Sequence, residues 1–286
     1  MARSSPASNS RPSEPHPPQR NPSGRPLAGR HAVITGASRG IGAAVALELG
    51  RLGAELTIVG RSLPPLRTAA NRLRDQAGVR VTEAACDVTD EGAVARLARG
   101  LAPVSILINN AGGAESAPFS KTDPALWRRM IDLNLTSVYA LTQHLAPAML
   151  AAKWGRIVNI ASTAGLKGYA YVSAYVAAKH GVVGLTRALA LEFARTGVTV
   201  NAVCPGYTDT PMLEGAIATI AGKTKKTADE ARAQLAAANP MGRLITPEEV
   251  AATVGWLCDP SSASITGQAI AIAGGEVCWS TSNPTI

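Results

Sequence analysis

Short apolar runs of about five residues alternate along most of the chain with longer stretches whose apolar positions recur every three or four residues. The runs predict strands at 31–35, 55–59, 79–86, 104–108, 156–160, 198–203 and 269–272. Between them the helical spacing predicts helices over 41–52, 64–76, 90–101, 124–150, 173–195 and 247–257. In the longest of these, Trp127, Met130, Ile131, Val138, Leu141, Leu145 and Met149 fall at helical intervals. Strands this short, nearly continuous in apolar residues and separated by helices, form βα units and a parallel sheet buried on both faces. Seven in one uninterrupted series predict a single doubly wound α/β domain over 30–275. Residues 207–246 break the rhythm. Helical tracts at 213–220 and 228–238, joined by a turn carrying Lys223, Lys225 and Lys226, read as a small helical insertion above the sheet.

Composition bounds this picture from outside. The 286 residues are 46% hydrophobic and 17% charged, with 27 glycines and 2 phenylalanines, so the core is aliphatic and the turns are tight. Residues 1–29 are rich in Pro, Ser and Arg and are expected to be a disordered extension, because they bury too little to offset ordering entropy. Residues 276–286 read as a C-terminal tail. The net charge of +8 suggests nucleic acid, but half of it sits in the first 30 residues and the rest is spread over a large surface, which excludes a duplex-binding face. No apolar stretch reaches membrane-spanning length. Cys86, Cys204, Cys258 and Cys278 form no paired motif and have no metal-ligand spacing with the 4 histidines. No metal is expected, and reduced cysteines fit a cytoplasmic protein.

The first strand ends in Thr35-Gly36-Ala37-Ser38-Arg39-Gly40-Ile41-Gly42. A glycine-rich turn between a strand and a helix brings backbone N–H groups up to a pyrophosphate, which points to a dinucleotide. It lacks the Gly-Lys-Ser/Thr ending of a nucleotide-hydrolysing loop. The second strand ends in Gly60-Arg61, where a unit selecting NAD usually carries an acid for the adenosine ribose. Arg61, with Arg39, offers donors suited to a 2′-phosphate, so NADP(H) is expected over NAD(H). Asp87-Val88 and Asn109-Asn110-Ala111-Gly112 close the third and fourth strands on the same side. Past the fifth strand lies Ser162, and thirteen residues later Tyr175 and Lys179 stand at i and i+4 on one helical face. An ammonium beside a phenol lowers its pKa toward the range useful for proton transfer. Tyr175 is therefore the candidate acid/base, Lys179 its modulator and Ser162 a donor to the substrate oxygen. No Gly-x-Ser-x-Gly elbow supports hydrolysis, and the intact trio argues against a non-catalytic scaffold.

From Arg30 to about Gly275 these motifs resemble the short-chain dehydrogenase/reductase family: TGASRGIG at 35–42, Asp87-Val88, NNAG at 109–112, Ser162, YVAAK at 175–179 and Pro205-Gly206. The resemblance implies a Rossmann fold and a cofactor site including Gly36, Ser38, Arg39, Gly40, Ile41, Gly42, Arg61, Asp87, Val88, Asn109, Ala111, Gly112, Tyr175 and Lys179. It adds Asn134 as a fourth catalytic residue in a bent helix. It also implies a loop over the nicotinamide with Pro205, Gly206, Thr208 and Thr210, and a substrate lid over 211–240. Within the family, 159–165, 180–186, 201–206 and 240–243 most resemble 3-oxoacyl-thioester reductases and 3-hydroxyacyl-CoA dehydrogenases, with aromatic polyketide ketoreductases close behind. The implied substrate is a CoA- or carrier-linked thioester, with another cyclic or steroid-like ketone as the alternative, in a homotetramer or homodimer.

Overall fold

The computed structural model describes residues 24–278. Residues 1–23 and 279–286, and the expectations that fall on them, lie outside that range. Seven strands, β1 (His31–Thr35), β2 (Glu55–Gly60), β3 (Val81–Ala85), β4 (Ile106–Asn109), β5 (Gly155–Ile160), β6 (Val198–Pro205) and β7 (Ala269–Ile272), form one sheet in the order β3-β2-β1-β4-β5-β6-β7. Every pairing is parallel. The order reverses between β1 and β4, so the carboxyl ends of those strands flank the crevice in which such sheets bind ligands.

The helices cover both faces. Within β1, Ala32 and Ile34 enter one core with α1 (Gly40–Arg51), α2 (Leu63–Ala77) and α9 (Pro247–Cys258). Val33 points the other way, into a core with α3 (Glu91–Gly100), α5 (Ser137–Ala151) and α6 (Ser173–Phe193). That period of two, apolar on both sides, is what the continuous hydrophobic runs encode.

Three features depart from the sequence reading. The helix predicted over 124–150 is α4 (Pro124–Ile131) and α5 joined by a π-helical segment, Asp132–Thr136. The folded part begins before Arg30: Leu27 is fully buried in the α1/α9 core, and its N–H bonds Leu52 O at 2.9 Å. At the other end Glu276, read as the start of a tail, is buried. The insertion folds as α7 (Pro211–Lys223) and α8 (Ala228–Ala236), packed through Leu213, Ile217, Ala231 and Leu235 against Tyr207 and Leu244. Among the described residues no helix is long and apolar enough to cross a membrane.

Candidate active site

The glycine-rich turn is shaped by contacts that admit no side chain. Gly36 has φ +66°, and a β-carbon there would lie 2.9 Å from Asn110 Nδ2 and 3.1 Å from Ala111 Cα. At Gly42 it would lie 2.5 Å from Gly36 O. Asn110 straps the turn: its Nδ2 donates to Thr35 O at 2.8 Å, while the N–H groups of Asn110 and Ala111 both donate to Thr35 Oγ1, at 3.0 and 2.9 Å. The turn leads into the N-terminus of α1, where Arg39 occupies the capping position without a side-chain cap. The backbone N–H groups there are available to an anion.

Arg39 and Arg61 enter no ion pair among the described residues, and no acid stands at the end of β2. Asp87 folds its carboxylate onto Thr89, accepting from N at 3.0 Å and Oγ1 at 2.8 Å, and these bonds hold it below the usual carboxylate range. Asn109 is buried and turned into the fold, its Nδ2 donating to Asn159 Oδ1 at 2.8 Å and Thr142 Oγ1 at 3.2 Å. It ties β4 to β5 and α5. Thr210 caps α7 and lies over the glycine turn, its Cγ2 3.3 Å from where a β-carbon on Gly40 would sit. Thr208 Oγ1 donates to Gly206 O at 3.0 Å, and Gly206 N to Ile272 O at 3.0 Å.

The side chains expected to carry the chemistry gather beside this cradle. Ser162 stands in extended backbone at the end of β5, its Oγ accepting from Ala164 N at 3.1 Å. That uses a lone pair and leaves the hydroxyl hydrogen to donate. Lys179 is 5% exposed; its Nζ donates to Ile160 O at 2.8 Å and lies 5.6 Å from the Tyr175 ring centroid. Burial lowers the Lys179 ammonium to about 8. Burial also pushes the Tyr175 phenol up, and the Ser162 hydroxyl pulls it partly back. The depression expected from a neighbouring ammonium does not act on Tyr175 here; desolvation dominates and draws both groups toward their neutral forms.

Asn134 is fully buried in the π-helical segment, donating from Nδ2 to Gly113 O at 2.9 Å and Met130 O at 3.0 Å and accepting from Gly113 N at 3.1 Å. A β-carbon on Gly112 would lie 2.9 Å from Asn134 Oδ1 and 3.7 Å from Lys179 Nζ. The segment after β4, the π-helical segment and the lysine thus meet at one point.

A phenol, an ammonium and a hydroxyl at the mouth of a dinucleotide cradle are the equipment for reducing a carbonyl. The family model described as short chain dehydrogenase matches residues 30–221. The chain belongs to the short-chain dehydrogenase family. It is an oxidoreductase acting on ketone and alcohol groups. The cis-4-hydroxycyclohexanecarboxylate dehydrogenase of Sinomonas cyclohexanicum is 41% identical over 88% of this chain and 98% of its own length. The 3-oxoacyl-(acyl-carrier-protein) reductase of Pseudomonas aeruginosa is 37% identical over 87% and 98%. A crystal structure of an actinorhodin polyketide ketoreductase variant with NADPH superposes with a TM-score of 0.84 at 39% identity, over 87% of this chain and 98% of that one.

Of the residues this dehydrogenase was expected to use, Ser162, Tyr175, Lys179 and Asn134 gather at the carboxyl ends of β4 and β5, and the glycine turn lies beside them. Sequence reasoning passed over Asn110, Tyr169 and Glu276. The first was hidden by its neighbour Asn109, and the other two by their distance in the chain from the motifs.

Proposed function

We propose that this dehydrogenase uses NADPH to reduce a 3-oxoacyl thioester to the 3-hydroxyacyl thioester, reversibly. The carrying observation is the convergence of Ser162, Tyr175 and Lys179 beside a glycine-rich cradle that has Arg39 in its turn and Gly60-Arg61, rather than an acid, at the end of β2. The residues fit a phosphorylated dinucleotide: Gly36 and Gly42 leave the backbone bare, the α1 N-terminus offers N–H groups, and two guanidinium groups suit a 2′-phosphate. When bound, the cofactor supplies the hydride.

The chain's own residues do the rest. Ser162 Oγ–H donates to the carbonyl oxygen and orients it. Tyr175 Oη–H donates to the same oxygen and gives up its proton as the alkoxide forms, and takes it back in the reverse direction. Lys179, anchored on Ile160 O, holds a donor where it can meet the nicotinamide ribose and steady the phenolate. Asn134 keeps the bend that lets the 112–113 segment approach Lys179.

The thioester is supported by the exposed Lys223 and Lys225 of the 207–246 insertion, cations suited to the phosphate of a pantetheine arm, and by the relative acting on a carrier-linked 3-oxoacyl group. A cyclic ketone is favoured instead by the edge-on pair of Tyr169 and Tyr207, ring centroids 6.4 Å apart, and by the relative acting on a cyclohexane alcohol. NADPH consumption with acetoacetyl-CoA, a longer 3-oxoacyl thioester, a bicyclic ketone and a steroid ketone separates them. The thioesters are expected to give the higher kcat/KM, because binding of the arm contributes at the transition state. A tenfold advantage for a cyclic ketone reverses the assignment.

A cytoplasmic homotetramer or homodimer completes the proposal. Tyr139 on α5 and Leu191 on α6 are 49% and 81% exposed, Trp256 on α9 is 50% exposed, and β7 is an edge strand of the sheet among the described residues. Light scattering on the purified chain tests it, and a monomer would contradict it.

A further inference from the structure

Past β7 the chain runs Ala273-Gly274-Gly275-Glu276, and these residues touch three separate loops of the site. Gly274 has φ +56°, and a β-carbon there would lie 2.7 Å from Asn239 Oδ1 and 3.0 Å from Met241 Sδ, so the end of the lid rests on bare backbone. At Gly206, in the loop after β6, a β-carbon would lie 2.8 Å from Glu276 Oε2. The third loop is the one that follows Ser162. Tyr169 Oη donates to Glu276 Oε1, and Lys167 Nζ lies 3.1 Å from the same oxygen. Lys167 also donates to Glu276 O at 3.2 Å.

Glu276 is 2% exposed. A carboxylate so deeply buried persists only when paired and hydrogen-bonded, and both conditions are met by the 162–169 segment. Tyr169 Oη also lies 2.6 Å from Thr163 Oγ1. A phenol has one hydrogen, here given to the carboxylate, so Thr163 is the donor in the second bond. The bonds therefore run in one direction, Thr163 to Tyr169 to Glu276, and begin on the residue next to Ser162.

We propose that Glu276 is a positioning residue of the reducing site: through Tyr169, Lys167 and Thr163 its buried carboxylate fixes the Ser162 turn against the Gly206 loop and the end of the lid. The role rests on the Ser162–Tyr175–Lys179 centre being where the ketone is reduced, and is independent of which ketone that is. Ser162 must hold the substrate oxygen within hydrogen-bond reach of Tyr175; ahead of it the chain is tied to β6 by Ala161 N to Val203 O at 2.7 Å, and within the turn Gly165 N bonds Ser162 O at 2.8 Å. Glu276 adds a long-range tie on the far side of the turn.

The test compares Glu276→Gln, Tyr169→Phe and the double variant Tyr169→Phe/Glu276→Leu, measuring kcat and KM for the ketone reduced fastest, NADPH affinity by fluorescence, and Tm. Each single variant should lose about tenfold in kcat, since small misplacements of reacting groups cost up to about a hundredfold, while the NADPH Kd stays within about twofold. The double variant replaces the carboxylate and the phenol that bonds it by apolar groups and should recover part of the Tm lost in Glu276→Gln, yet not kcat, because Thr163 has lost its acceptor. Recovery of kcat together with Tm would overturn the positioning role and leave a merely structural one. Should the double variant fold poorly, Glu276→Gln, which keeps size and an acceptor, decides alone: unchanged kcat overturns the proposal. Tyr175→Phe run alongside reports on the centre itself, so its loss of turnover beside fully active Glu276 variants sinks only the role of Glu276.

Discussion

Lys179 carries a desolvation cost whose pH dependence can be measured. Its ammonium titrates at 10.5 when exposed and at about 8 in the fold. Between those values the unfolded chain binds more protons than the native one, so stability rises with pH across that window. Relative to Lys179→Met, the native protein should gain at most about 3 kcal/mol from pH 8 to 10.5, read from denaturant unfolding at each pH. A difference that stays flat would mean that the side chain is solvated. At the ribose end, NADPH should bind better than NADH by at least about 1.4 kcal/mol, or tenfold. Gly60→Asp adds a ribose acceptor and repels the 2′-phosphate, so preference should move toward NADH. The nearest atoms an added β-carbon would meet all belong to the Leu66 side chain, Cδ2 first at 3.3 Å, so a shift in cofactor choice without loss of folding is the expected result. Equal kinetic efficiency with both cofactors in the unaltered chain would defeat the reading of Arg39 and Arg61.

At the scale of elements, the strands and most helices were legible because a buried parallel sheet writes itself as apolar runs between helical repeats. The glycine turn, Ser162 and the Tyr175/Lys179 pair were legible because their chemistry requires particular residues at the ends of those elements. The π-helical segment was not legible in the apolar spacing of 124–150, which stays helical across it; only the family resemblance, through Asn134, pointed to an irregularity there. Leu27 escaped because it stands alone in a Pro/Ser/Arg-rich stretch, where nothing local shows that α1 and α9 leave a space for it. Leu27→Ala should cost about 2–5 kcal/mol, measured by denaturant unfolding, and truncation through residue 28 should destabilise the domain likewise. A change below about 0.5 kcal/mol, as at an ordinary surface position, would show that the turn before β1 is dispensable. Glu276 escaped for a different reason: its partners Tyr169 and Lys167 are 107 and 109 residues away in sequence, and a lone Glu after a Gly-Gly pair carries no pattern.

At the scale of the molecule, a single sheet brings the ends of β1, β2, β4, β5 and β6 to one crevice. Cofactor cradle, proposed proton donor and helical insertion are therefore assembled from segments spread over more than two hundred residues. Insertion and cradle meet through Thr210 over Gly40, and the end of the insertion and the Ser162 turn meet through the Gly274–Glu276 turn. Substrate identity is the level least legible in the sequence: the 207–246 insertion, the proposed substrate lid, is built from weakly patterned helices. The central claim, that this assembly reduces a ketone with Tyr175 as proton donor, is tested most directly by following NADPH consumption for the unaltered chain and Tyr175→Phe on the same ketone panel. The phenylalanine keeps the ring and removes the proton, so kcat should fall by roughly 10²–10⁴ while NADPH affinity and Tm hold. A variant that keeps more than about a third of normal turnover, outside the range expected when a positioned acid is lost, would contradict the account.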